Sequence, residues 1–217
     1  VLRIKTNGAI NFTRTIGGTD NDQAYGVEAL AKNAYAVIGE TESNNGDVPD
    51  NSGGDDYFVV SVKGDGSFKF AKTYGGETSD IGRSIHKTSD GGFILCGETE
   101  SSNGDVSNNK GSDDYWVVKI AANGNMKRQK TLGGADKDLG TSAAPTSDGG
   151  FIVAGSSESD NFDVSDNNGN ADYWIVKLNG AQKTGDEVTP VSAIQLYPNP
   201  AQSTVTLDGL TESASVI

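Results

Sequence analysis

The sequence predicts an all-β protein built from four-stranded antiparallel repeats, and two observations carry that prediction. The first is a period of 58 residues that runs without insertion. Gly17-Gly18 recurs as Gly75-Gly76 and Gly133-Gly134, Asp47-Val48 as Asp105-Val106 and Asp163-Val164, and Asp56-Tyr57 as Asp114-Tyr115 and Asp172-Tyr173. The second is the texture of the apolar runs, which are short, β-branched and aromatic, and separated by Asp-Gly or Asn-Gly pairs, with no helical periodicity. A helix-free period of this length reads as one blade of a β-propeller. A β-solenoid is the alternative, although 58 residues is long for one rung.

Each element follows from the second period. Residues 84–88 form a short strand, and Asp90-Gly91 turns the chain into residues 93–97. Asp-Gly is a strong two-residue hairpin signal, because both central residues of a type I′ turn need positive φ. The corresponding turn is Asp148-Gly149 in the third period and is degraded to Lys32-Asn33 in the first. Residues 93–97 are apolar on both faces, as a strand between two blades should be. A polar loop, 98–113, leads to a third strand at 115–120, and Asn123-Gly124 turns into a fourth at 126–132. Repeat boundaries fall near 17, 75 and 133, and residues 1–16 supply only the last two strands of an incomplete blade. Residues 1–180 are therefore the propeller-like region. Three periods fall short of the typical 4–8 blades, so further repeats upstream are expected. Closure in trans, or completion of the last blade by residues 1–15, is the alternative.

Composition narrows the function. A formal net charge of −13 argues against nucleic acid and anionic membrane as partners. No apolar run approaches the roughly 20 residues of a membrane span, so no membrane insertion is expected. A single Cys, Cys96, leaves no internal disulfide or multi-cysteine metal site, and a single His, His86, leaves no His/His site. Cys96 aligns with Ile38 and Ala154, which predicts a buried apolar role. His86 aligns with Glu28 and Ala144, which predicts a surface position. Trp116 and Trp174 align with Phe58 and read as packing residues.

The loop carries recurrent oxygen ligands. Ser43, Asn45, Asp47, Asn51 and Asp56 recur as Ser101, Asn103, Asp105, Asn109 and Asp114, and as Ser159, Asn161, Asp163, Asn167 and Asp172. Calcium takes roughly 6–8 hard oxygens from such flexible loops, so Asp47, Asp56, Asp105, Asp114, Asp163 and Asp172 are candidate calcium ligands. The competing reading is that these side chains cap turns. No other cofactor is indicated. Asp20, Asp22, Asp80, Asp136 and Asp138 follow the double glycines and could in principle serve glycoside hydrolysis. Acids that recur in successive repeats read instead as blade-to-blade loop structure. No position breaks the repeat to form a quinone-cofactor site or a Ser/His/Asp set, and the chain reads as non-enzymatic.

After Gly180 the pattern changes. Residues 181–193 read as a linker. Residues 194–217 hold an extended entry, the Pro198-Asn199-Pro200 break and an alternating strand. The stretch LYPNPAQSTVTLDGL, 196–210, resembles the opening of the type A C-terminal sorting domain of the Bacteroidota type IX secretion system. Leu196, Tyr197, Pro198, Asn199 and Pro200 carry the motif. Repeat units such as SDGGFIVAG and DYWVVK are likewise similar to those of large secreted Bacteroidota proteins. The resemblance implies that 194–217 is the start, truncated here, of a small β-sandwich. It also implies export through the periplasm and outer membrane to the cell surface or medium, with the outer-membrane translocon and its shuttle protein as partners. The expected function is a secreted binding or adhesion protein that takes a surface glycan or protein through its loops. An accessory propeller of a larger secreted hydrolase, its catalytic domain upstream, is the second reading.

Overall fold

The computed structural model describes residues 2–4 and 6–180; the linker and the sorting motif at 181–217 lie outside the described residues. The chain forms thirteen strands and one short 3-10 turn, Ala31–Asn33, among those residues. β1 (Leu2–Ile4) and β2 (Ile10–Thr13) make a two-stranded sheet. The first blade is β3 (Asp22–Ala29), β4 (Tyr35–Thr41), β5 (Asp56–Val62) and β6 (Phe68–Tyr74), paired in chain order. The second is β7 (Asp80–Lys87), β8 (Phe93–Thr99), β9 (Asp114–Ile120) and β10 (Met126–Leu132), and the third is β11 (Asp138–Pro145), β12 (Phe151–Ser157) and β13 (Asp172–Leu178). All pairings are antiparallel. The predicted all-β repeat blades are thus present, and the described sheets do not close into a ring.

Successive blades stack face to face. β7 lies against β3, β4 and β5 of the first blade, and β11 lies against β7, β8 and β9 of the second. β8 is buried along its whole length, as predicted for a strand between blades, and so is β9, whereas β12, with no blade described beyond it, is only partly buried on one face. One apolar cluster joins Ile38, Tyr57 and Val59 to Ile85, Leu95 and Trp116 across the first junction, and a second joins Cys96, Tyr115 and Val117 to Ala143, Val153 and Trp174 across the next. Gly97 and Gly155 let the backbones of β7 and β11 approach, since a β-carbon on either would strike the carbonyl of Ile81 or Leu139.

Burial follows stacking more than sequence. Ile85 and Ala143 are 2% and 1% exposed, while Val27, their counterpart in the first blade, is 68% exposed. The β1–β2 hairpin meets that blade at the β5–β6 turn. Phe12 lies beside Gly66 there, as Phe70 lies beside Gly124 one junction later.

The hairpin turns differ from expectation. At Asp90-Gly91 only Gly91 has positive φ, +82°. Thr88 N–H donates to Gly92 O at 2.9 Å and Gly91 N–H to Thr88 O at 3.0 Å. This is the three-residue loop that ends in a left-handed glycine, not a two-residue type I′ turn. Gly66, Gly124 and Gly149 repeat it. The Asx side chain accepts a backbone bond two residues on, from Ser67, Gly92, Asn125 and Gly150. The degraded Lys32-Asn33 pair is the one that places both residues at φ +59°.

Candidate functional site

The recurrent polar side chains gather at the end of the blades where each double glycine passes from one blade to the next. Most of them cap turns. Ser43, Ser101 and Ser159 accept the amides of Asp20, Thr78 and Asp136 at 3.0, 3.1 and 3.0 Å. Asn45, Asn103 and Asn161 accept those of Thr19, Glu77 and Ala135. Asn51, Asn109 and Asn167 donate to the carbonyls of Thr41, Thr99 and Ser157 and accept from Gly53, Gly111 and Gly169. The Ser and Asn members of the proposed ligand set are therefore engaged in loop structure.

The first-strand aspartates are anchored just as regularly. Asp80 accepts Gly76 N–H at 2.8 Å, Ser101 Oγ at 2.8 Å and Thr99 Oγ1. Asp138 accepts Gly134 N–H at 2.6 Å, Ser159 Oγ at 2.8 Å and Ser157 Oγ. Asp22 repeats this with Gly18, Ser43 and Thr41. These are the side chains that could have suggested hydrolysis; their oxygens fix the entry to each blade.

The candidate calcium ligands divide into two kinds. Asp56, Asp114 and Asp172 begin the third strands and accept, through Oδ2, the amides of Ser52, Lys110 and Asn168 at 2.7, 2.9 and 2.8 Å. Asp56 and Asp114 are fully buried and their Oδ1 atoms have no hydrogen-bond partner. Asp47, Asp105 and Asp163 lie in the loop, each amide donating to the carbonyl of Gly17, Gly75 or Gly133. Asp47 pairs with Arg14 at 3.0 Å and Asp163 with Lys110 at 2.5 Å. Burial and the nearby charges of Asp80 and Asp105 push the Asp56 carboxyl up to about 7, against the bond from the Ser52 amide. Burial, with Asp138 and Asp163, pushes Asp114 up to about 6, against the amide and ammonium of Lys110. Among the described residues no group of three or more His, Cys, Asp or Glu side chains converges as a metal cage.

A second feature lies among the hairpin turns where the second and third blades meet. A cleft of about 450 Å³ is lined by Thr88, Asp90, Lys119, Arg128, Thr146 and Phe151, among others. Its volume falls within the roughly 300–1,000 Å³ of ligand sites. Lys119 is held by Asp90 at 2.9 Å, which keeps that carboxyl down at about 2, the bond from Thr88 contributing most. The Arg128 guanidinium stands 5.6 Å from the centre of the Phe151 ring.

The remaining singled-out side chains lie outside both features. Cys96 is fully buried. His86 is partly exposed on β7, its Nδ1 3.6 Å from Glu28 of the neighbouring blade. Trp116 is packed at 0% exposure with its indole N–H on Gln129, and Trp174 at 5%. Leu196, Tyr197, Pro198, Asn199 and Pro200 lie outside the described residues. Two things escaped the sequence reading: the approach of Asp80 to Asp56, and the cleft. Both join residues of different periods, and only the recurrence of Asp80 and Asp138 hinted at the first.

No protein-family model matches the chain, and no curated protein matches it. Among solved structures, two variants of the Synechocystis apocarotenoid oxygenase are similar at a TM-score of 0.41 and 11% identity, covering 83% of this chain. The chain spans 42% of the length of that enzyme. The likeness is too distant to bear on chemistry.

Proposed function

We propose that the chain is a non-enzymatic binding module of a secreted or surface protein, its ligand a surface glycan or protein taken up among the blade turns. The cleft between the second and third blades carries this reading. It presents a guanidinium, an aromatic ring and several hydroxyls in a protein that is otherwise strongly acidic. Arg128 has no ionic partner among the described residues, so its donors are open to the carboxylates or hydroxyls of a polymer. The carboxylates of Asp22, Asp80 and Asp138, meanwhile, accept amides and hydroxyls of their own loops, which supports a structural use over a catalytic one. The resemblance of 196–210 to a sorting domain supports export by the type IX system, with its translocon and shuttle protein as partners.

Binding of the purified chain to an array of acidic and neutral glycans, followed by Arg128→Ala, tests the reading. Saturable binding lost in the variant is expected; equal binding by both would move the site elsewhere. For export, replacing Tyr197 and Pro198 in the native protein of a type IX host should leave it in the periplasm. The alternative, an accessory propeller of a secreted hydrolase, predicts a catalytic domain in the native protein, which intact mass and N-terminal sequencing would reveal.

A further inference from the structure

We infer that the junction between the first and second blades binds one divalent cation of the calcium class, held by Asp56 and Asp80 with Asp105 at the mouth. The inference is independent of what the cleft binds. Three observations converge on this point. The first is an orphaned oxygen: Asp56 is 0% exposed, and its Oδ1 is buried without a hydrogen-bond partner. An ionised carboxylate left so is costly unless something positive meets it. The second is where that oxygen points. A β-carbon on Gly75 would strike both Asp56 Oδ1 and Asp80 Oδ2, so the two carboxylates of successive blades close on the same spot beside a residue that has no side chain.

The third observation comes from comparing the junctions, which the repeat makes possible. At the junction before the first blade, the loop aspartate Asp47 is met by Arg14. Between the second and third blades, Asp163 is met by Lys110 at 2.5 Å. At the middle junction the position of Lys110 is held by Ser52, and no cationic side chain pairs with Asp105 among the described residues. Two junctions thus carry a built-in positive charge, and the one between them carries three carboxylates and none. Asp56 and Asp80 fall one carboxylate short of a metal cage. Asp105 is exposed at the mouth, where it can turn inward to supply the third and where the ion has access from solvent. Oxygen-only donors, two of them buried and one exposed, suit a hard cation that completes its shell with water and carbonyls.

The test uses the whole chain, stripped with a chelator and titrated with calcium chloride alone in a calorimeter, with magnesium chloride as a competitor. One saturable site per chain and a higher Tm with calcium are expected. Asp105→Asn, at an exposed position, should weaken calcium about tenfold or more. Ser52→Lys copies the Lys110 arrangement into the middle junction; it should abolish calcium binding and raise Tm in the chelator. Asp56→Asn should also abolish binding, and the two exposed-site variants keep the question open to decision if that buried change impairs folding. No saturable binding, binding unchanged in Asp105→Asn and Ser52→Lys, or two equal sites per chain would each overturn the assignment.

Discussion

The Tyr57 hydroxyl, on the third strand of the first blade, donates to the backbone carbonyl of Trp116 on the third strand of the second at 2.9 Å. The two rings meet nearly edge to face, 4.6 Å between centres. Tyr115 and Trp174 repeat both features at 3.0 and 4.8 Å. The directional bond and the ring contact together fix the angle at which one blade settles on the next.

Removing that hydroxyl tests its weight. Tyr57→Phe and Tyr115→Phe should each destabilise the fold by about 1 kcal/mol, the net worth of a buried hydrogen bond. Tyr173, the third member of the series, is 80% exposed, and Tyr173→Phe should be neutral. Urea melts followed by tryptophan fluorescence compare the three.

Two glycines of unlike kind should respond differently to alanine. In Gly97→Ala the new methyl meets the Ile81 carbonyl and, at 2.7 Å, the Tyr57 hydroxyl. The backbones of β7 and β8 must part, at about 3 kcal/mol or more. Gly91 has open space around it, and its burden is φ of +82° alone, so Gly91→Ala should cost about 1–2 kcal/mol. Thermal melts of the two variants separate clash from backbone strain.

The buried aspartates give stability a pH dependence. In the folded protein freed of divalent cations the Asp56 carboxyl titrates near 7, against the ordinary value of about 4 in the unfolded chain. Between those values the folded state holds a proton that the unfolded state has released, so stability falls as pH rises. The contribution is full below about pH 4 and gone above about pH 7; Asp114, titrating near 6, loses its share at lower pH. Tm measured in a chelator from pH 4.5 to 8 should therefore decline, and Asp56→Asn should flatten much of the decline.

Cys96 offers a probe of blade opening. It is fully buried, and burial pushes its thiol far above the usual range. Since the thiolate is the reactive form, an aromatic disulfide reagent should leave the native protein untouched and titrate one thiol in denaturant. Native-state labelling at the rate of an unmasked thiol would contradict the burial. Tyr115→Phe, by loosening the junction beside it, should speed labelling.

How much was legible beforehand depended on the distance over which each signal acts. The strands were, because alternation, β-branched runs and Asp-Gly pairs act within a few residues, and the period multiplied each clue by three. The turn geometry was only half legible. Asp-Gly suits both a type I′ turn and the three-residue loop, and the Asp90 side chain, by accepting Gly92 N–H at 3.1 Å, favours the latter. The candidate site was legible only in part. Asp56 and Asp105 were visible as recurrent acids, but the residue that faces Asp56 is Asp80, at the start of the next blade. The exposure of Val27 was not legible either, because it holds the same place in the repeat as Ile85 and the two differ in whether a blade covers them.

Three of the hydrogen bonds that join blades run at one separation. Tyr57 to Trp116, Tyr115 to Trp174 and Ser84 to Ala143 are each 59 residues apart, one more than the repeat. A gene segment of one whole period, duplicated or lost by unequal crossing-over between the repeated sequences, therefore rebuilds the same hydroxyl-to-carbonyl pairing on both sides of the event. An insertion of any other length between the paired strands sets the tyrosine against the wrong residue. The heritable unit of change for this architecture is the blade, and such proteins should differ in length among relatives by multiples of 58 residues.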